Sequence, residues 1–298
     1  MQSINTAYLY TTLTILFWAG SASAFKLALK EVSPLTLLWS STLISLMVLS
    51  VLLKTGDRFA RLKNLTRVQW LYLLALGAIN PFLYYLILFK AYDLLPGQVA
   101  MSLNYLWPVM LAIFSVPILK QSLEWKALLG ICLSFIGAAI IASGGNLAAW
   151  SQLNITGIFL ALTSTLVWAV YWLLSARLKV DAVVKLFIGF VTGSLLSLLY
   201  AIFNNQIVIE FETFPWIPIL YVGLFEMGLT FFIWLRALEI APNAARIGHL
   251  IFLTPFLSLM ILVIVLNESI SLSTIVGLVV IIAGIFSKQL ISKFIKSS

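Results

Sequence analysis

The sequence predicts an all-α integral membrane protein with ten transmembrane helices, arranged as two inverted five-helix repeats and with both termini cytoplasmic. Three observations carry that prediction. Of 298 residues, 62% are hydrophobic and 9% charged, against roughly 25% charged in an ordinary soluble domain, and the mean hydropathy is +1.09. The apolar residues gather into ten runs, each near the ~20 residues that cross a bilayer as a helix. The second half of the chain then matches the first at a near-constant offset. A soluble globular fold is excluded, and so is a transmembrane β-barrel, because the runs lack the period-two alternation of barrel strands.

In order, the runs lie at about 7–27, 35–53, 69–91, 97–119, 125–143, 154–176, 182–203, 215–236, 242–266 and 272–291, bounded by charges, Pro or Gly. The first ends in Ala22-Ser23-Ala24, a small-residue pattern like that of a cleaved signal peptide. It is read instead as a retained helix. No basic residue precedes it, its apolar part exceeds a typical signal core, and Leu16-Phe17-Trp18-Ala19 returns as Leu166-Val167-Trp168-Ala169. Orientation follows from Lys and Arg, which cytoplasmic loops collect. With the N-terminus inside, Lys54, Arg58, Arg61, Lys63 and Arg67 share the first cytoplasmic connection, whereas only Lys26, Lys30 and Lys90 fall outside. The outer connection at 204–214 carries Glu210 and Glu212 and no cation. Topology therefore explains the net charge of +8, and no nucleic-acid partner is expected. Cys132, the single cysteine, lies inside an apolar run, so neither an intramolecular disulfide nor a cysteine-rich metal site is possible. Gly130, Gly137, Gly277, Gly284 and the Gly189-x-x-x-Gly193 pair allow close helix approach, in bundle packing or at an oligomer interface. Monomer and homodimer both stay open.

Sliding the chain on itself by 146 residues pairs Trp70 with Trp216, Gly77 with Gly223, Lys90-Ala91 with Arg236-Ala237, and Pro96 with Pro242. At 147, Pro108 pairs with Pro255, Leu119 with Leu266, Ser122 with Ser269, Gly130 with Gly277 and Gly137 with Gly284. The repeats run over 7–143 and 154–291. Five spans is an odd number, so the second copy inserts upside down relative to the first, a build typical of carriers whose substrate site lies near the midplane.

The span centres hold Trp18, Asn80, Pro108, Trp168, Glu226 and Thr254, which are not typical lipid-facing residues. Asn80 and Glu226 pair across the repeat, and Trp18 and Trp168 match likewise in depth. A carboxylate at the bilayer centre costs at least ~2.5–3.5 kcal/mol on insertion scales, so Glu226 faces a polar interior and marks a substrate or ion pathway. Helical spacing adds Tyr84 to Asn80, Thr230 to Glu226 and Tyr171 to Trp168, each pair expected on one face. Together they are expected to line a cavity for a ligand with an apolar or aromatic body and a polar head. For Trp18 and Trp168, packing and pocket are both open. Trp70, Trp125, Trp150 and Trp216, near span ends, suit an interfacial belt. Pro108 and Pro255 interrupt the backbone ladder in the middle of equivalent helices, as hinges, as carbonyl-exposing breaks or as static kinks. Asn104, one turn before Pro108, either packs or touches ligand. Arg246 and His249 suit a gate or an attraction for a carboxylate, unless Arg246 snorkels and His249 is satisfied by a neighbour. Glu226 is the stronger candidate for coupling to protons.

The motif Asn104-Tyr105-Leu106-Trp107-Pro108, the stretch Trp168-Ala169-Val170-Tyr171, and Thr254-Pro255 followed by Asn267-Glu268 resemble the drug/metabolite transporter superfamily of EamA type. The resemblance covers nearly the whole chain. The first two motifs resemble its aromatic amino-acid exporter branch (YddG-like). It implies a multi-pass transporter of the cytoplasmic membrane that exports aromatic or large neutral amino acids and related metabolites by alternating access around a midplane cavity. Trp107, inside the first motif, joins the candidate binding residues. The family's glutamate after the fourth helix of the repeat stands at Glu268, where the first repeat has Gln121.

A broad-specificity drug or organic-cation exporter of the same superfamily would use Glu226 and aromatic walls nearly as well. A membrane enzyme acting on lipids would want paired carboxylates or histidines near an interface, and the chain holds one His and no zinc, nucleotide or phosphate-loop pattern. No catalytic residue, metal site or cofactor is expected, and a non-transporting scaffold is the remaining reading. The expected partners are a small-molecule substrate and the lipid bilayer.

Overall fold

The computed structural model describes residues 2–120, 125–145, 154–207, 212–241 and 250–297. Among them the regular structure is helical throughout: α1 (Gln2–Ala28), α2 (Pro34–Leu53), α3 (Arg58–Lys63), α4 (Arg67–Gly77), α5 (Tyr84–Leu94), α6 (Gly97–Asn104), α7 (Trp107–Leu119), α8 (Trp125–Ala142), α9 (Ile155–Arg177), α10 (Ala182–Phe203), α11 (Trp216–Tyr221), α12 (Leu229–Ile240), α13 (Thr254–Leu266) and α14 (Leu272–Ser297). Between α4 and α5 the chain kinks over Ala78–Leu83, where Asn80 leaves helical geometry at φ −142° and ψ 123° ahead of Pro81, and a π-helical turn, Val222–Gly228, joins α11 to α12. Among the described residues, six helical stretches are long and apolar enough to cross a membrane: 34–53, 67–94, 97–119, 155–177, 182–203 and 216–240. Leu128–Ala142, Ile251–Leu266 and Leu272–Phe286 are shorter apolar helices.

Local chemistry sets the ends. Ser33 precedes Pro34 and accepts the Thr36 N–H at 3.1 Å, so α2 starts with a side-chain cap and a proline where no donor is needed. Thr66 and Gln69 form a reciprocal capping box at the start of α4, with bonds of 3.2 and 2.9 Å. Asn154 caps α9 and Asp181 caps α10. Lys120 and Asn267 end α7 and α13 in the left-handed region, at φ 56° and 52°. They stand at the same offset that pairs Pro108 with Pro255.

Those prolines require a correction. Neither lies in the middle of a continuous helix: the chain turns at Tyr105–Leu106, and a 3-10 turn, Ile251–Leu253, precedes α13. Pro108 and Pro255 are each the second residue of a new helix, where the missing N–H costs nothing.

In the bundle, α8 runs along α14, α2 along α10, α1 against α12 and α13, and α9 against α5 and α7. At the α8–α14 crossing a Cβ on Gly137 would stand 2.5 Å from the Gly277 carbonyl oxygen and 2.8 Å from the Ile281 nitrogen. Only glycine fits that approach. Thr42 and Ser197 meet at 3.3 Å between α2 and α10. The main core runs from Phe25 and Leu38 through Tyr85, Phe89 and Leu103 to Phe231 and Leu262, around the space described next.

Candidate functional site

Between α1, α5, the α6–α7 turn, α9, α12 and α13 lies a cavity of about 420 Å³. Its walls are aromatic. The Trp18 ring stands 5.7 Å from Phe231 and 6.0 Å from Trp234, while Trp168 stands 4.5 Å from Tyr84, 5.6 Å from Trp172 and 5.8 Å from Phe231. Phe231 thus joins the tryptophans of α1 and α9 into one wall. Glu226 is the one carboxylate among the described lining residues, and no Lys, Arg or His stands among them.

The backbone at Glu226 explains how the carboxylate is held. A π turn breaks the usual i to i−4 ladder and frees carbonyls that must find other donors. Trp18 Nε1 donates to the Glu226 carbonyl at 3.3 Å, Ser45 Oγ to the Gly223 carbonyl at 2.8 Å, and the Thr230 hydroxyl to the Phe225 carbonyl. The Tyr221 hydroxyl donates across to the Phe17 carbonyl at 2.7 Å, which stitches α1 to the same bend. The side chain of Glu226 then accepts from Ser21 Oγ at 2.5 Å and from the Tyr85 hydroxyl at 3.1 Å. Charge-assisted bonds of this kind fix a carboxylate and leave lone pairs for a ligand.

Of the residues expected at the site, Trp18, Tyr84, Asn104, Trp107, Trp168 and Glu226 line this cavity. Asn104 is oriented by a bond from its Nδ2 to Ser164 Oγ at 3.0 Å. Three expectations fail on geometry. Asn80 is buried and faces away from the cavity, beside the Tyr171 hydroxyl and close to Gly189 of α10. Tyr171 packs with Leu53, Leu73, Leu76, Val184 and Ile188 in a separate cluster, and Trp172 lines the cavity in its place. Thr230 is fully buried, its hydroxyl turned back on the chain. The reason for Thr230 is the π turn, which brings the residue five positions after Glu226, Phe231, to the cavity wall instead. Arg246, His249, Gln121, Trp150 and Pro242 lie outside the described residues.

Sequence reasoning missed Ser21, Tyr85, Trp172, Phe231 and Trp234. Ser21 had a signal, because it stands three residues after Trp18 on the same helix face. Glu268 is placed elsewhere: its Oε1 accepts the Gln98 N–H at 3.1 Å at the start of α6, while Gln98 Nε2 donates to the Ser269 carbonyl at 2.7 Å. Nearby, Lys26 Nζ donates to the carbonyls of Tyr92 and Leu95 at 2.8 and 3.0 Å. These contacts tie the α5–α6 corner to α1 and to the end of α13. Among the described residues no group of three His, Cys, Asp or Glu is placed to hold a metal.

The sequence profile of the EamA-like transporter family matches residues 5–143 and 155–287. An uncharacterized transporter of Archaeoglobus fulgidus is 27% identical over 286 residues, covering 94% of this chain and 96% of its own. The uncharacterized transporter YvbV of Bacillus subtilis is 25% identical, covering 96% and 92%. Protein PecM of Dickeya dadantii is 26% identical, covering 78% of each. A solved crystal structure superposes with a TM-score of 0.66 at 22% identity, over 98% of this chain and 99% of the other, which is a likeness of fold.

Proposed function

Because the chain belongs to the EamA-like transporter family, we propose that this multi-pass membrane transporter carries amino acids, aromatic or large neutral ones, and related small metabolites, exporting them across the plasma membrane. The observation that supports this reading is a cavity walled by tryptophan, tyrosine and phenylalanine around one carboxylate, Glu226. An ammonium group is attracted both to that carboxylate and to the faces of the rings, while an aromatic or long apolar side chain displaces water from the walls. Energy would come from a substrate or ion gradient, with Glu226 as the group to couple proton movement.

In this reading ten spans form two inverted repeats, 7–143 and 154–291, with both termini cytoplasmic. The breaks in helical geometry at Asn80 and Glu226 support it, as do the left-handed caps at Lys120 and Asn267, since each pair occupies matching positions of the two halves. So does the packing of α1 on α12 and of α9 on α5, which places the first helix of each half against the third span of the other. Rocking of one half against the other would open the cavity to either side in turn.

A second reading, export of organic cations, is favoured by the lack of a basic side chain among the described lining residues. Uptake of radiolabelled phenylalanine, threonine and a lipophilic cation into proteoliposomes, with and without a pH gradient, separates the two. Saturable phenylalanine flux supports the first. Saturable flux of the cation alone selects the second, and flux of none removes both.

A further inference from the structure

We propose that the hydroxyls of Thr254 and Ser258 form a second polar pole of the cavity, which receives the carboxylate of a zwitterionic ligand and sets a preference for amino acids over simple amines. The inference rests on the reading of the cavity as an amine-binding transport site and adds to it the other half of the ligand head.

Both residues line the cavity and both are 2% exposed; the Ser258 hydroxyl has no hydrogen-bond partner, and that of Thr254 has only the Tyr105 phenol beside it. A serine or threonine in a helix ordinarily folds its hydroxyl back onto the carbonyl of the preceding turn. Thr11, Thr14, Ser45 and Ser134 do so here. Ser258 does not, although it stands mid-helix in α13. Buried donors left unmet cost free energy, which a ligand that bonds them recovers. Other buried hydroxyls without partners, at Ser23, Ser41, Ser102 and Ser194, do not face the cavity.

The placement selects an anion. Thr254 is the first residue of the 13-residue α13, at its positive end, and Ser258 is one turn further on the same face. The Tyr105 phenol stands beside Thr254 and adds a third hydroxyl to this side. Glu226, which lines the same cavity, repels a carboxylate and attracts an ammonium. A ligand bearing both groups on one carbon satisfies the two poles together, whereas an amine without a carboxylate leaves Thr254 and Ser258 unmet.

Equilibrium binding of radiolabelled phenylalanine and of phenethylamine to the purified full-length protein tests this. The wild type is expected to bind phenylalanine about tenfold tighter, as sites built to hydrogen-bond a ligand group reject analogues lacking it. Thr254→Val with Ser258→Ala is expected to bring the ratio near one, Ser258→Ala alone to lower it partway, and Thr254→Ser to retain it. The ratio is read within one preparation, so a partly inactive variant does not distort it. Equal binding of both probes by the wild type overturns the inference and leaves the amine-binding reading standing, as does a wild-type ratio in the Thr254→Val, Ser258→Ala double variant. Binding of neither probe overturns both.

Discussion

The Ser21 hydroxyl donates to Glu226 Oε2 at 2.5 Å, joining α1 to the π turn between α11 and α12. Tyr85 approaches the other oxygen from α5 at 3.1 Å, so three segments meet on one carboxylate. Removing either donor leaves that carboxylate less satisfied in an apolar surround, at a cost of about 1–3 kcal/mol. Ser21→Ala and Tyr85→Phe are each expected to lower the melting temperature in detergent and to slow transport. Tyr85→Phe is the sharper probe of the bond, because it removes one oxygen from a fully buried ring and leaves its packing intact. Unchanged melting and flux in both variants would count against the described geometry.

The α8–α14 contact supports a stability prediction away from the cavity. Gly137→Val inserts side-chain carbon where 2.5 Å separates a Cβ from a backbone oxygen, so the helices must part. Overpacking of this kind costs about 1–3 kcal/mol. Thermal unfolding should show a loss in that range, with Gly137→Ala milder than Gly137→Val.

Lys26 makes charge-assisted bonds to two carbonyls at the α5–α6 corner, at 2.8 and 3.0 Å. Lys26→Met keeps the aliphatic stem and removes the donor, with an expected cost of about 1.5–3 kcal/mol. Glu268→Gln keeps an acceptor oxygen for the Gln98 N–H and should cost less than Glu268→Ala. Ranking the three by melting temperature checks this corner.

Orientation is tested by cysteine labelling in a Cys132→Ser background. A membrane-impermeant maleimide applied to intact cells should modify Asn205→Cys, in the acidic outer connection, and reach Lys63→Cys only after permeabilisation. The reverse pattern would invert the assigned topology.

The legible part of the structure was what depends on height along a helix. Span centres placed Trp18, Trp168 and Glu226 at one level, and all three line the cavity. What depends on rotation about a helix was less legible. A face assigned as i, i+4 assumes 3.6 residues per turn, and neither span that carries the paired polar residues keeps that period: one kinks at Asn80 ahead of Pro81 and the other contains a π turn. The extra residue turned Thr230 away and brought Phe231 in; in the other half Tyr85, five after Asn80, reaches Glu226. Tyr171 failed for a simpler reason, since Trp172 at i+4 and Tyr171 at i+3 lie on either side of the same stripe and packing against Val184 and Ile188 took the tyrosine. The breaks do leave marks in the sequence, Pro81 directly after Asn80 in the first span and Gly223 and Gly228 within the turn of the second, but neither mark states how far the helix rotates.

The most direct measurement is the saturable uptake of phenylalanine by proteoliposomes carrying wild type or Glu226→Gln at equal, folded amounts. Glutamine keeps the shape and the hydrogen-bonding reach of the side chain and removes its charge. With Glu226 as the ammonium partner, the variant should lose at least about tenfold in uptake efficiency, since an unpaired charge in a dry site costs more than 1.4 kcal/mol. Uptake by Glu226→Gln equal to that of the wild type would contradict the role assigned to this carboxylate.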